Sequence, residues 1–303
     1  MSFSKEVKDE LLTRAGQARH CRIAELAAIL SICARAVPEK DGFILRIQME
    51  RPEAADKCRS LIEGLFGSAD ISGDGTVLTV TDRMLVSRIM KAAKFRVTDE
   101  DGDGFGLLAD NLVVQHTCCK RAFIRGAFLC AGSVSDPSKA YHFELGLQEE
   151  SRARQMKNII NSFMIDAKMI PRRRYYVVYV KEGAQIVDLL NIMEAHKALM
   201  KFENVRILKE VRNSVNRQVN CEAANINKTV TASSRQIDDI ILIRDKGGFD
   251  HLSEGLEEVA RLRIEYPEAT LKELGAMLNP PIGKSGVNHR LRKLGEIAEG
   301  YRD

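Results

Sequence analysis

Hydrophobic positions in the first two-thirds of the chain follow one succession of patterns, and that succession occurs twice. CRIAELAAILSICARA at 21–36 is an apolar helix rich in small residues. FILRIQ at 43–48 alternates as a half-buried strand does, and EAADKCRSLIEGLF at 53–66 has the spacing of an amphipathic helix. VLTV at 77–80 predicts another strand, and a helix follows near 82–94. At a near-constant offset of 98 residues the same order returns as CKRAFIRGAFLCAGSV (119–134), YHFELG (141–146), SRARQMKNIINSFM (151–164), YYVV (175–178) and a helix near 184–200. Cys21 falls over Cys119, Ala24 over Ala122 and Ala34 over Gly132. Leu45 and Ile47 fall over Phe143 and Leu145, and Leu61, Ile62 and Leu65 over Ile159, Ile160 and Phe163. A shared register across four consecutive elements predicts a duplicated α+β unit.

Between the copies, TDEDGDGFGLLAD at 98–110 reads as a solvated Gly/Asp-rich linker. Asp99, Asp101, Asp103, Gly104 and Asp110 imitate a calcium loop, but Asp stands where a bidentate Glu belongs, and Gly106 where an apolar residue does. From about residue 200 the pattern turns wholly helical. Residues 205–246 are polar and Asn/Arg-rich, then EGLEEVARLRIE at 254–265 predicts an amphipathic helix ended before Pro267. Thr270 and Glu273 form a capping box opening LKELGAML, which Pro280 and Pro281 stop. A last helix runs from about Lys284 to Glu299. Its Val287, Leu291, Leu294 and Ala298 point inward, and Ser285, Asn288, His289 and Arg292 share the opposite face. The predicted organisation is an N-terminal helix (1–18), repeat one (19–97), an acidic Gly-rich linker (98–117), repeat two (118–200), a helical linker (201–250) and a helix-turn-helix domain (251–303).

Composition narrows the class. At 45% hydrophobic and 29% charged residues the chain is globular, and no run approaches the ~20 apolar residues that span a bilayer. The N-terminus lacks the apolar core of a signal peptide, so a cytosolic place is expected and no membrane partner. Seven cysteines without a C-x-x-C pair fit free thiols in a reducing compartment. No Cys/His cluster has linear ligand spacing, so neither metal nor cofactor is expected. The net charge is only +4, but basic residues gather. Residues 168–181 hold five Lys/Arg and no acid, 201–235 seven against three acids, and 280–293 four plus His289. Arg172, Arg173, Arg174, Arg212, Arg217 and Lys228 are therefore candidate phosphate contacts, although the last three suit interdomain hydrogen bonds equally well. On the last helix Ser285, Asn288, His289 and Arg292 suit base edges, with Lys284, Arg290 and Lys293 toward the DNA backbone.

The duplicated pattern resembles the single-chain LAGLIDADG homing endonucleases, whose opening helices pack side by side through small residues. Ala24, Ala27, Ala28 and Ala34 and their counterparts Ala122, Gly126, Ala127, Ala131 and Gly132 suit that interface. The resemblance implies a fold of two αββαββα-type repeats, and a metal-binding acid at the foot of each opening helix. Cys33 and Ala131 hold those positions and cannot bind magnesium, so nuclease activity is expected to be lost.

Across essentially its whole length the sequence also resembles the WhiA family of Gram-positive bacteria. The resemblance rests on SFSKEVKDEL, CCKRAFIRGAFLCAGSVSDPSKAYHFEL, NRQVNCEAANINKT and, most specifically, LKELGAMLNPPIGKSGVNHRLRKL. It implies a transcription regulator with a degenerate LAGLIDADG domain and a helix-turn-helix, acting in cell division, chromosome segregation or sporulation. Its implied partners are promoter DNA and an iron–sulfur partner regulator or RNA polymerase. The alternatives are an active nuclease, a nucleoid-associated architectural protein without strong sequence preference, and a regulator-docking scaffold.

Overall fold

The computed structural model describes residues 2–14, 16–40, 42–67, 70–98 and 104–302, in two units, Met1–Lys209 and Glu210–Asp303. The first unit opens with α1 (Phe3–Leu12) and α2 (Arg19–Cys33). It continues with β1 (Ala34–Glu39), β2 (Gly42–Gln48), α3 (Pro52–Phe66), β3 (Ile71–Ser72), β4 (Val77–Val80) and α4 (Arg83–Ala92). A hairpin of β5 (Phe95–Thr98) and β6 (Gly106–Ala109) leads to the second copy. That copy comprises α5 (Thr117–Ala131), β7 (Gly132–Val134), β8 (Phe143–Leu147), α6 (Glu150–Asn161), β9 (Lys168–Pro171), β10 (Tyr176–Val180) and α7 (Gly183–Ile192). The long α8 (His196–Gly247) crosses the boundary between units, and α9 (Glu254–Glu265), α10 (Leu271–Met277) and α11 (Lys284–Glu299) complete the second.

The duplication is visible in the hydrogen-bond register. The sheets have the matching antiparallel orders β1-β2-β4-β3 and β7-β8-β10-β9. Ala34 lies opposite Ile47 and Ala36 opposite Leu45. At the 98-residue offset, Gly132 lies opposite Leu145 and Val134 opposite Phe143. The register then slips. Gln48 faces Val77 while Gly146 faces Val177, so VLTV corresponds to Val177–Val180 and not to YYVV at 175–178. The shift combines two changes: Lys168 sits opposite Tyr179 where the first copy has Ser72 opposite Thr79, a hairpin four residues longer, and the segment between β8 and β9 is two residues shorter than that between β2 and β3.

Small residues set the distance between α2 and α5. Ala24, Ala27, Ala28, Ala122 and Ala127 are buried, and a Cβ on Gly126 would stand 2.5 Å from the Glu25 carbonyl oxygen. Ala34 and Gly132 lie just past the helix ends in β1 and β7, and the place of a Gly132 side chain is filled by the Phe128 ring. Each copy then builds its own apolar core under its sheet. Leu45, Ile47, Ile62 and Leu78 lie in one, and Phe143, Leu145, Ile160 and Val178 in the other.

Two stretches depart from the sequence reading. The expected linker at 98–110 contributes β6, in which Leu107 and Ala109 are buried, and Phe105 exchanges backbone hydrogen bonds with Ala36. Asp99, Asp101 and Asp103 lie outside the described residues. Asp110 caps the turn at Asn111–Val114 and pairs with Arg96 at 2.7 Å. The helix expected over 184–200 breaks at Glu194, where φ is +66°. The α8 N-terminus that follows is capped by the Glu10 carboxylate, which accepts from the Lys197 and Ala198 amides at 2.9 and 3.0 Å. The break lets Glu194 meet Arg125.

Candidate nucleic-acid interface

In the second unit α9, α10 and α11 close around Leu256, Val259, Ala260, Leu274, Leu278, Val287, Leu291, Leu294 and Ala298, with Ile240 and Ile243 of α8. The capping box forms in full, with Thr270 Oγ1 accepting from the Glu273 amide and Glu273 from the Thr270 amide. Gly275 allows the α10–α11 turn to fold tightly. Its carbonyl accepts from the Ile282 amide at 2.9 Å, and a Cβ there would lie 2.2 Å from the Ile282 oxygen. Arg263, buried by its packing, donates to the Pro267 and Ala269 carbonyls and shapes the α9–α10 turn.

This packing fixes which side of α11 meets solvent. Lys284, Ser285, Asn288, His289, Arg292 and Lys293 are all exposed, and Val287, Leu291, Leu294 and Ala298 are buried. Among the described residues Lys284, Ser285, Asn288, His289 and Lys293 have no side-chain hydrogen bond or ion pair, so their polar groups are available to a ligand. Arg292 is held by Glu296 one turn along, at 3.4 Å and with both side chains well exposed. Arg290, expected toward a DNA backbone, is instead half-buried. Its guanidinium packs on Gly255 and donates to that residue's carbonyl at 3.2 Å, tying α11 to α9.

The other basic candidates lie on other elements. Arg172, Arg173 and Arg174 are exposed in the turn of the longer β9–β10 hairpin, closed by the Arg172 amide donating to the Tyr175 carbonyl at 2.7 Å. Arg212, Arg217 and Lys228 lie on α8, of which residues 210–232 are exposed throughout. At about 100° per residue, Arg217 and Lys228 share a face, whereas Arg212 is turned roughly 140° from Arg217.

The feet of α2 and α5 are marked by Cys33 and Ala131, which line a basin of about 600 Å³ with Lys8, Glu50, Cys130 and Arg152. Burial lowers the Lys8 pKa against the opposing pull of Glu50. The Cys130 thiol is pushed up, first by its hydrogen bond with Cys33 and then by burial. Neither foot position supplies a carboxylate to a hard divalent cation.

Two polar groupings escaped the sequence reading. Glu25, fully buried, is paired with Arg125 at 2.8 Å and Lys57 at 2.7 Å, and Arg125 reaches Glu194 at 3.0 Å. Lys57 also donates to the Leu11 and Arg14 carbonyls. Burial lowers the Lys57 pKa. It works against the Arg125 charge too, where the hydrogen bond and charge of Glu25 prevail and raise the value. At the opposite ends of the opening helices from the basin, His20, Cys21, Cys118 and Cys119 place one ligand atom each within 4.8 Å of one another. Burial, then Cys118, push the Cys21 thiol up to about 12, and Cys119 rises for the same reasons.

Comparison with known proteins agrees with this geometry. Residues 215–298 match the WhiA C-terminal HTH domain, and residues 120–212 match the WhiA LAGLIDADG-like domain. The sequence is 59% identical to a "Probable cell division protein WhiA" of Lachnoclostridium phytofermentans, covering 100% of both chains. It is 44% identical to one from Alkaliphilus oremlandii, covering 98% of this chain and 97% of that one. Among solved structures, full-length WhiA from Thermatoga maritima has a TM-score of 0.56 at 25% identity, covering 100% of each chain.

Proposed function

The chain belongs to the WhiA family, and from that premise we propose that it is a sequence-specific, promoter-binding regulator of cell division and chromosome segregation, read out through α11. The family's LAGLIDADG domain is degenerate, and its members are DNA-binding regulators rather than nucleases. In the proposed mode the N-terminal three turns of α11 enter a major groove. Asn288 and Arg292 are suited to adenine and guanine edges, with Ser285 and His289 beside them. Lys284 and Lys293, together with the free amides at the helix start, face phosphates.

The observation that carries this reading is the solvent face of α11. Polar side chains at i, i+3, i+4 and i+7 are exposed, and all but Arg292 lack an internal partner among the described residues. The exposed arginines of the β9–β10 turn, with Arg217 and Lys228, add phosphate contacts without sequence preference. Arg290 positions the reading helix rather than touching DNA. The resemblance adds an iron–sulfur partner regulator or RNA polymerase as the route from binding to transcription, a role in sporulation where the lineage forms spores, and a nucleoid-associated cytoplasmic location. No described helix is long and apolar enough to cross a membrane.

The test is a salt-titrated competition between genomic promoter fragments and random duplex. The proposal predicts a preferred fragment whose advantage survives at high salt. Affinity equal for every duplex and falling steeply with salt leaves only architectural binding.

A further inference from the structure

The four residues at the heads of α2 and α5 form a ligand set. His20 and Cys21 are the second and third residues of α2, and Cys118 and Cys119 the second and third of α5. They are equivalent under the duplication at the same 98-residue offset, so the pseudo-twofold that pairs the helices also brings the two pairs face to face. His20 Nδ1 lies 3.1 Å from Cys119 Sγ, 3.4 Å from Cys21 Sγ and 3.9 Å from Cys118 Sγ. Zinc bonds of ~2.3 Å to sulfur and ~2.0–2.1 Å to nitrogen place tetrahedral ligand atoms about 3.5–3.8 Å apart. The observed spacings bracket that range.

We propose that His20, Cys21, Cys118 and Cys119 form a structural Cys₃His zinc site that clamps the two repeats together at the heads of their opening helices. Thiolate and imidazole donors select a soft or borderline ion over magnesium or calcium. Four protein ligands close the tetrahedron and leave no position for substrate, the mark of a structural site. Loading exchanges protons for metal: three thiols lose their protons to solvent, His20 binds as the neutral imidazole, and the centre carries one net negative charge. The amino ends of both helices meet at this centre, where their dipoles favour negative charge. Neither Ala18 nor His116, the capping residues, uses its side chain to satisfy the first-turn amides.

Access and shielding are both present. His20 and Cys118 are exposed and give an entry path, while Cys21 and Cys119 are buried. The preceding loop lies so close that a Cβ on Gly16 would be 2.9 Å from the Cys21 Cβ, and the His116 ring packs 5.7 Å from that of His20. The remaining cysteines form no comparable set among the described residues, so Cys221, exposed on α8, is an internal control.

The experiment uses full-length protein, purified anaerobically with reductant and supplied with zinc alone or cobalt alone. Metal per chain is measured by mass spectrometry, and cobalt coordination by absorption. The expected result is one zinc per chain, with thiolate-to-cobalt charge transfer and intense tetrahedral d–d bands. His20→Ala and Cys118→Ser change exposed residues, so the fold is retained. They should weaken zinc retention against a chelator by more than ~10-fold, whereas Cys221→Ser leaves it unchanged. Chelation should lower the unfolding temperature of the parent protein but not of Cys118→Ser. Substoichiometric zinc in the parent, retention unaltered by both substitutions, or an iron-and-sulfide chromophore instead of zinc would each overturn the assignment.

Discussion

The first unit buries a cluster of opposite charges between its helices, whereas most of the cations on α11 of the second unit face outward. Glu25, Arg125 and Lys57 meet where α2, α5 and α3 pack, with Glu25 fully buried and Arg125 2% exposed. In the second unit the core between α9, α10 and α11 is apolar apart from Arg263, whose guanidinium bonds backbone carbonyls. Lys284, Arg292 and Lys293 of α11 stand in water, with Arg292 77% exposed at its side chain. Buried charge of this kind demands partners in fixed places, so it specifies how one repeat seats on the other. Exposed charge demands nothing of the fold and remains free for a ligand. The same contrast appears at the two ends of the opening helices. Their feet have lost the acids that metal-dependent cleavage needs, and their heads have gathered soft donors.

The comparison breaks most severely at Glu25. Glu25→Ala leaves Arg125 and Lys57 buried without their shared anion and should destabilise the first unit by about 3–5 kcal/mol. Denaturant unfolding measures it, and a loss below about 1 kcal/mol would mean that water enters and the charges are not confined. Next, Gly126→Ala places a methyl group against the Glu25 carbonyl and forces α2 and α5 apart. The expected cost is about 1–3 kcal/mol, read as a lower unfolding midpoint. Arg292→Ala should leave the unfolding midpoint unchanged yet cost about 1–3 kcal/mol at a preferred DNA site and relax base preference at one position. Equal weakening on every duplex would reassign Arg292 to phosphate. The smallest effect is expected from Glu296→Ala, which removes an exposed i,i+4 pair worth no more than about 0.5 kcal/mol of stability. DNA binding should tighten modestly as Arg292 is released.

The elements that were legible in the sequence are those whose packing is local. Alternation in FILRIQ and the small-residue run around Ala24–Ala28 reflect a single buried face each, and β2 and α2 follow. The capping box of α10 needs only residues three apart. What escaped depends on distant partners. Glu25 and Arg125 are a hundred residues apart in the chain, and the cluster at the helix heads joins adjacent pairs from two helices, which no linear ligand spacing reveals. Both lie within a duplication whose offset was readable; it set Cys119 over Cys21, and one residue further back it sets Cys118 over His20. The sequence reading set Arg290 toward a DNA backbone; its hydrogen bond to Gly255, whose missing side chain makes room for the guanidinium, joins two helices and is not written in α11 alone. The pairing of β5 with β6 was hidden by composition, since the Gly/Asp-rich sequence at 98–106 masks the buried Leu107 beside it. The break between α7 and α8 falls at Glu194, a residue type that does not announce a positive φ.

The central claim is that exposed side chains of α11 read bases while the rest of the molecule supplies stability and phosphate contacts. The most direct measurement compares full-length parent protein with Asn288→Ala and Arg292→Ala on a preferred promoter fragment and on random duplex, across a salt series. The account predicts that each variant narrows the preference between the two duplexes by about 1–3 kcal/mol, while its binding to random duplex and the salt dependence stay near the parent's. If the preference is undiminished in both variants, α11 is not the reader, and sequence recognition belongs to another surface of the chain.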